Sequence, residues 1–324
     1  LDGARIDGSV ELHGALLQGR DGAAFSAQSA TVGGNVELRP IHGYRCEVYG
    51  EVSLGAAHIT GDLDCASARI INPEGRALHC EDLVVESVFL TRRDSDAPLE
   101  VSGRLNFLTA TVGGSFFMSN VRLHPGPDYT GLISRGGPVA INMQQIRVSN
   151  AMVLVNIGAQ QGSAEDEHGE SLKPVEGWFM LAGAQMNSLI DDIGSGWPAP
   201  GYLDMDGISY ERIRHVDGGD LATARSNWLK RQFVDERPDV STYRPQPYEQ
   251  LTRVLRSSGL SREADIIAVE KIRMRLAARV DSPWQRLFPH LLMLISHHGY
   301  STSRAVYSFL FFVLIGAVMY TVAV

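Results

Sequence analysis

The chain is predicted to be mainly β: a parallel, right-handed β-helix of about eight coils, then a helical hairpin, then a C-terminal transmembrane helix. Three observations predict it. Short apolar pairs recur every 26 or 27 residues, the pattern of a stacked repeat. Glycine is abundant at 33 of 324 residues, while aromatics make up only 8%. After residue 216 the apolar period lengthens to that of a helix, and the chain closes on an uncharged apolar run.

The repeat is clearest around residues 52–65. Val52, Leu54, Ala57, Ile59, Gly61, Leu63 and Cys65 match Phe25, Ala27, Ala30, Val32, Gly34, Val36 and Leu38 at a shift of 27. A forward shift of 26 brings Leu78, Cys80, Leu83 and Val85, with Ser87 in the glycine position, and a further 27 brings Leu105 to Met118. A shortened copy opens the chain at Ala4, Ile6, Gly8, Val10 and Leu12. Three copies with wider spacing follow, starting at Ile141, Phe179 and Leu203. Alternation with period two means short strands with one face inward. Strands this short are stable only when stacked copies share a core and a hydrogen-bond ladder. The recurring small residues Gly8, Gly34, Gly61, Ser87, Gly114, Asn150 and Ser188 are expected to be structural corners, because glycine and asparagine accept positive φ. Two insertions, 124–138 and 161–177, are glycine- and proline-rich or acidic and read as projecting loops, either tolerated surface insertions or part of a binding face.

Residues 217–280 carry three helical segments. Leu221, Ala224, Trp228 and Leu229 share a face in the first. Tyr248, Leu251, Val254 and Leu255 form a stripe that stops at Gly259. Ile266, Val269, Ile272 and Leu276 form the next, with Ser261 as its N-cap. The last two helices resemble a single tetratricopeptide-type hairpin. Such a hairpin cannot bury its own face, so it is expected to cap the open end of the stack.

Residues 281–304 read as a juxtamembrane segment, with Trp284, Arg286, Tyr300 and Arg304 at the membrane interface. Residues 305–324 are uncharged and long enough to span a bilayer. The cations that precede the span place the β region on the cytoplasmic side of the membrane by the positive-inside rule. The chain begins at Leu1 and stops inside the apolar run, so it reads as a fragment.

The net charge of −8 argues against nucleic acid as a partner. The lipid bilayer and a protein are the expected partners. Cys46, Cys65 and Cys80 make an odd set without CxxC spacing, so they read as reduced core residues. With no G-x-G-x-x-G between strand and helix, no cofactor is expected. The outward positions hold one candidate constellation: Glu11, Glu37 and Asp64 share one phase on successive copies, with Asp62 two residues from Asp64. Stacked like charges need a cation, a basic neighbour or water, and Arg39 is placed to help. They are weak cation-site candidates, and the starting point for a glycan-directed β-helix enzyme with Glu37, Asp62 and Asp64 in one groove.

The segments GARIDG, GDLDCASARIINPEGRALHCEDLVV, PQPYEQLTRVLRSSG and HHGYSTSRA resemble a bacterial, mainly actinobacterial, family of membrane-anchored proteins commonly labelled membrane-associated or putative oxidoreductases. The resemblance implies this architecture and membrane association; it carries no catalytic residue onto this chain. The copies are similar in logic to bactofilin and pentapeptide-type solenoids. The expected role is a non-catalytic, membrane-anchored scaffold or protein-interaction module.

Overall fold

A computed structural model of the chain describes residues 1–94, 96–127, 136–158, 172–215, 220–234, 238, 242–279, 313–315, 317 and 320. It is mainly β. Among the described residues, twenty strands between Arg5 and His215 join in one parallel sheet system, and three helices, between Leu221 and Arg279, follow. The chain divides into two compact units, Leu1–Val234 and Asp235–Val324. The first helix, α1 (Leu221–Lys230), therefore belongs with the strands, and the boundary falls 18 residues later than the change of periodicity suggests.

Each strand pairs in parallel with the strand one repeat on, so equivalent residues form columns. One column runs Arg5, Thr31, His58, Val84, Thr111, Arg147, Gln185, Ser209. The eight copies read from the sequence are the eight members of this column. Side chains on alternate positions point inward, where Val36, Leu63, Val88, Phe116, Met152 and Leu189 form a fully buried column. Each such side chain contributes roughly 1.5–3 kcal/mol by leaving water. The three cysteines are buried among them as free thiols.

The corners differ from expectation in a physically instructive way. None of Gly8, Gly34, Gly61, Ser87, Gly114, Asn150 or Ser188 has positive φ. Left-handed residues stand elsewhere, among them Gly3, Ser29, Ala56, Asp82, Thr109, Gln145, Gly183 and Gly207, each two residues before a strand begins. They sit third in four-residue turns such as Leu54–Ala57, where the Ala57 amide donates to the Leu54 carbonyl at 3.1 Å. The central glycines serve closeness. A Cβ on Gly61 would overlap Asn35 Oδ1 and lie 3.0 Å from the carbonyl of Gly34. A Cβ on Gly114 would lie 2.5 Å from Ser87 Oγ. The backbone of one repeat thus rests on the turn of the repeat before it, through bonds such as Gly61 N–H to Gly34 O at 3.1 Å.

Two of the expected corner residues are also out of register. Three residues separate Ile59 from Leu63, but only two separate Val85 from Val88, so Ser87 stands level with Ser115 rather than Gly114. Ser188 likewise pairs with Ala151, not Asn150. Losing one residue reverses which side chains face inward. Leu189 and Asp191 therefore point in, and Ile190 between them is only half-buried.

The inward residues of the last repeat, Met205, Ile208 and Tyr210, are buried, whereas Ile6, Val10 and Leu12 of the first are partly exposed. Helix α1 belongs to the well-buried end. Asp220 caps it, accepting from the Ala222 amide and the Thr223 hydroxyl. Its buried face is Ala222, Arg225, Ser226, Trp228 and Leu229; Ala224, expected there, is only half-buried. Arg231 reaches back to the Pro198 and Ile193 carbonyls.

In the second unit, α2 (Gln246–Ser257) and α3 (Ser261–Arg279) pack together. The α2 stripe is as expected. It ends in a Schellman turn: Leu260 N–H to Leu255 O at 2.9 Å and Gly259 N–H to Arg256 O at 3.0 Å, with Gly259 at φ 81°. In α3 the buried face is rotated to Ala264, Ile267, Ala268, Val269 and Met274, leaving Ile266 exposed; Ser261 is the first helical residue rather than the cap. Trp284, Arg286, Tyr300 and Arg304 lie outside the described residues, as does most of 305–324. Val313–Ile315, Ala317 and Tyr320 are helical. Among the described residues no helix is long and apolar enough to cross a membrane. Most of the two projecting loops, 128–135 and 159–171, also lies outside them.

Candidate functional site

The outward column chosen from sequence exists. Glu11, Glu37 and Asp64 are consecutive partners on parallel strands. The column then continues as Phe89, Phe117, Val153, Ile190 and Arg214. It thus changes from ionic to apolar along its length. Phe89 and Phe117 stack with ring centroids 5.1 Å apart and planes within 7°. All four apolar members are half-buried, so their outer edges reach solvent.

The ionic end is self-neutralised. Glu37 accepts from Arg39, from Asn35 Nδ2 at 3.0 Å, and meets His13 Nε2 at 2.6 Å. Arg39 also reaches Asp64 at 3.5 Å, so its guanidinium stands between the two carboxylates, in the place a bound cation would take. Glu11 is the exposed end member, 3.9 Å from His13 Nδ1. Asp62 belongs to the turn, level with Asn35, whose Oδ1 accepts the Asp62 amide at 3.0 Å. The expected groove of Glu37, Asp62 and Asp64 is thus replaced by Glu37, Arg39, His13 and Asp64. No group of three His, Cys, Asp or Glu side chains has metal-holding geometry among the described residues.

The two carboxyls titrate in opposite directions. Burial raises both. At Asp64 it prevails over the Ala66 amide and Arg39, and the carboxyl sits above its ordinary value. At Glu37 the hydrogen bonds from Asn35 and His13 and the charge of Arg39 outweigh burial and hold the carboxyl below it. Two neighbouring carboxyls whose titrations are pushed apart are the pattern that acid–base chemistry uses.

A second polar constellation was not singled out from sequence, although a shift of 26 links two of its members. Ser53 and His79 are column partners, and Ser53 Oγ lies 3.2 Å from His79 Nδ1. Glu51 contacts His79 at 3.4 Å and Arg76 at 3.1 Å; Glu81 lies 3.6 Å from His79 Nε2. Serine, histidine and carboxylate suggest a nucleophile, but Ser53 is 0% exposed, so its hydroxyl cannot meet a substrate. Burial raises the Glu51 carboxyl; His79 and Arg76 more than reverse this and hold it below its usual value. The group neutralises a half-buried carboxylate.

The third constellation lies at the α1 end. Asp191, fully buried, takes both Arg225 guanidinium nitrogens at 2.7 and 2.6 Å and the Trp197 indole N–H at 2.7 Å. Trp197 and Trp228 meet edge to face at 5.2 Å, and Arg225 lies over the Trp228 ring. The shortened turn at Ser188 sends Asp191 inward. The Cys65 and Cys80 thiols are pushed far up by burial and Cys46 to about 11, which removes them as nucleophiles.

Comparison with protein families, with curated proteins and with solved structures finds no match to this chain.

Proposed function

We propose that the strand unit is a parallel β-solenoid serving as a protein-interaction scaffold, held at the cytoplasmic face of a bacterial membrane by the apolar run 305–324. The observation that carries this reading is the outward column from Glu37 to Ile190. A continuous parallel ladder holds an ionic patch and a half-exposed apolar strip in fixed register. Aromatic anchors beside charged groups are what protein interfaces use. The ion pairs at Glu37 are internally balanced, so the column favours contact over turnover. The sequence resemblance to membrane-anchored bacterial proteins supports the tether.

The test is a quantitative pull-down from membranes with three forms: parent, a Phe89→Ser/Phe117→Ser variant, and a deletion of residues 161–177. Loss of the same partners with the double variant, its fold intact by circular dichroism, supports the reading. Unchanged capture with both altered forms contradicts it.

The opposed titration of Glu37 and Asp64 favours a second reading, a glycan-directed hydrolytic enzyme. It requires turnover of an oligosaccharide that Asp64→Asn abolishes.

A further inference from the structure

We infer that the α2–α3 hairpin docks on anionic lipid headgroups through a basic cleft. This deepens the membrane-anchored reading and rests on it. The chain as a whole is acidic, at −8, but residues 246–279 carry seven Lys and Arg against four Asp and Glu. Three of those cations converge on one open cleft of about 370 Å³, with Arg253 and Arg256 from α2 and Lys271 from α3. Thr252, Ala268 and Glu249 complete its lining. Arg256 is 3.1 Å from Asp265, and Lys271 is 3.3 Å from Glu249. These pairs are exposed, and pairs of that kind hold their partners weakly, so a phosphodiester can displace the carboxylates. A guanidinium pair and an ammonium around an open cleft match the oxygens of a lipid phosphate.

The chain also supplies proximity. Residues 280–304 separate α3 from the apolar run, so the cleft is tethered within roughly 85 Å of the membrane even if that stretch is fully extended. A tether turns docking into an intramolecular event with a high effective concentration. Each cation near an anionic leaflet strengthens binding about fivefold, so three are worth on the order of a hundredfold before the competing carboxylates are counted.

The experiment uses the full chain in vesicles. A fluorophore on Ser257→Cys, which is exposed, is selective because the native thiols are buried. Energy transfer to a headgroup-labelled lipid is compared in phosphatidylcholine vesicles and in vesicles with 30% phosphatidylglycerol. The expected result is higher transfer with phosphatidylglycerol, reversed by 0.5 M salt, and at least a tenfold weaker response in Arg253→Gln/Arg256→Gln/Lys271→Gln. Equal transfer on both lipids overturns the inference. So does an anionic response that the triple variant retains, provided its helicity is unchanged. Anchoring is read separately by flotation with phosphatidylcholine vesicles after alkaline wash. Should flotation fail, salt-sensitive binding to the anionic vesicles at neutral pH still tests the cleft.

Discussion

Breaking the Asp191–Arg225 pair by removing one partner should be among the most damaging single changes in the strand unit. Both side chains are 0% exposed. Arg225→Met leaves a buried carboxylate with only the Trp197 N–H from its present three donors. Asp191→Asn keeps that indole contact but strands a guanidinium against Trp228. Removing one member of a buried ion pair costs about 3–5 kcal/mol, because the survivor stays desolvated without compensation. Replacing both, as Asp191→Leu/Arg225→Met, removes the desolvation penalty with the attraction, so the double variant should cost less than the sum of the singles by about 2 kcal/mol or more. Urea unfolding followed by tryptophan fluorescence is the assay, since Trp197 and Trp228 flank the pair. Repeat proteins unfold by segments, so the transition is compared between variants under one protocol. Single variants within 1 kcal/mol of the parent, or strictly additive costs, would refute this reasoning.

Three further outcomes follow from the geometry and one from the titration of the carboxyls. Gly61→Ala should destabilise by about 1–3 kcal/mol, because its methyl would strike the turn of the repeat before it. Gln145→Gly should be neutral or stabilising by up to about 1 kcal/mol, because Gln145 is an exposed residue held at φ 56°; paired thermal melts check both. The three thiols should be inert to a thiol reagent in the native protein and titrate as three after denaturation. For pH, Glu37 and Glu51 have folded-state values below their ordinary 4.5, so their stabilising contribution is present above pH 4.5 and is lost as pH falls through the folded values. Asp64, raised above 3.8, has the opposite sign: it disfavours the fold at neutral pH and is relieved on acidification. Asp64→Asn should therefore be neutral or stabilising at pH 7, whereas Glu51→Gln should destabilise there and flatten the acid limb; urea midpoints from pH 3 to 7 decide it.

The repeat was legible because inward alternation and a near-constant period both leave marks on residue type. Val52, Leu54, Ile59 and Leu63 are core residues as read. Corner conformation was not legible. The left-handed position accepts Ser, Ala, Asp, Thr and Gln as well as Gly, so composition hides it, while the glycines that stand out answer to crowding between repeats. The Glu11, Glu37 and Asp64 column was visible because its turns all have the same length. The buried Asp191 was not, since one missing residue at Ser188 reversed the phase. Arg225 was hidden in the same way, on a helix face where a cation is expected to point outward unless a buried acid awaits it. His79 and Ser53 lay one repeat apart in plain sequence, but their significance depends on burial, which spacing does not report.

The central claim, a rigid interaction face along the outward column, is tested most directly by photo-crosslinking in membranes. A photoreactive residue at Phe117 reports the proposed face; the same residue at His58, exposed on a different column, reports a face not assigned to contact. The account predicts discrete adducts from position 117, abolished by Phe89→Ser, and none from position 58. Adducts from both positions alike, or from neither, would contradict it.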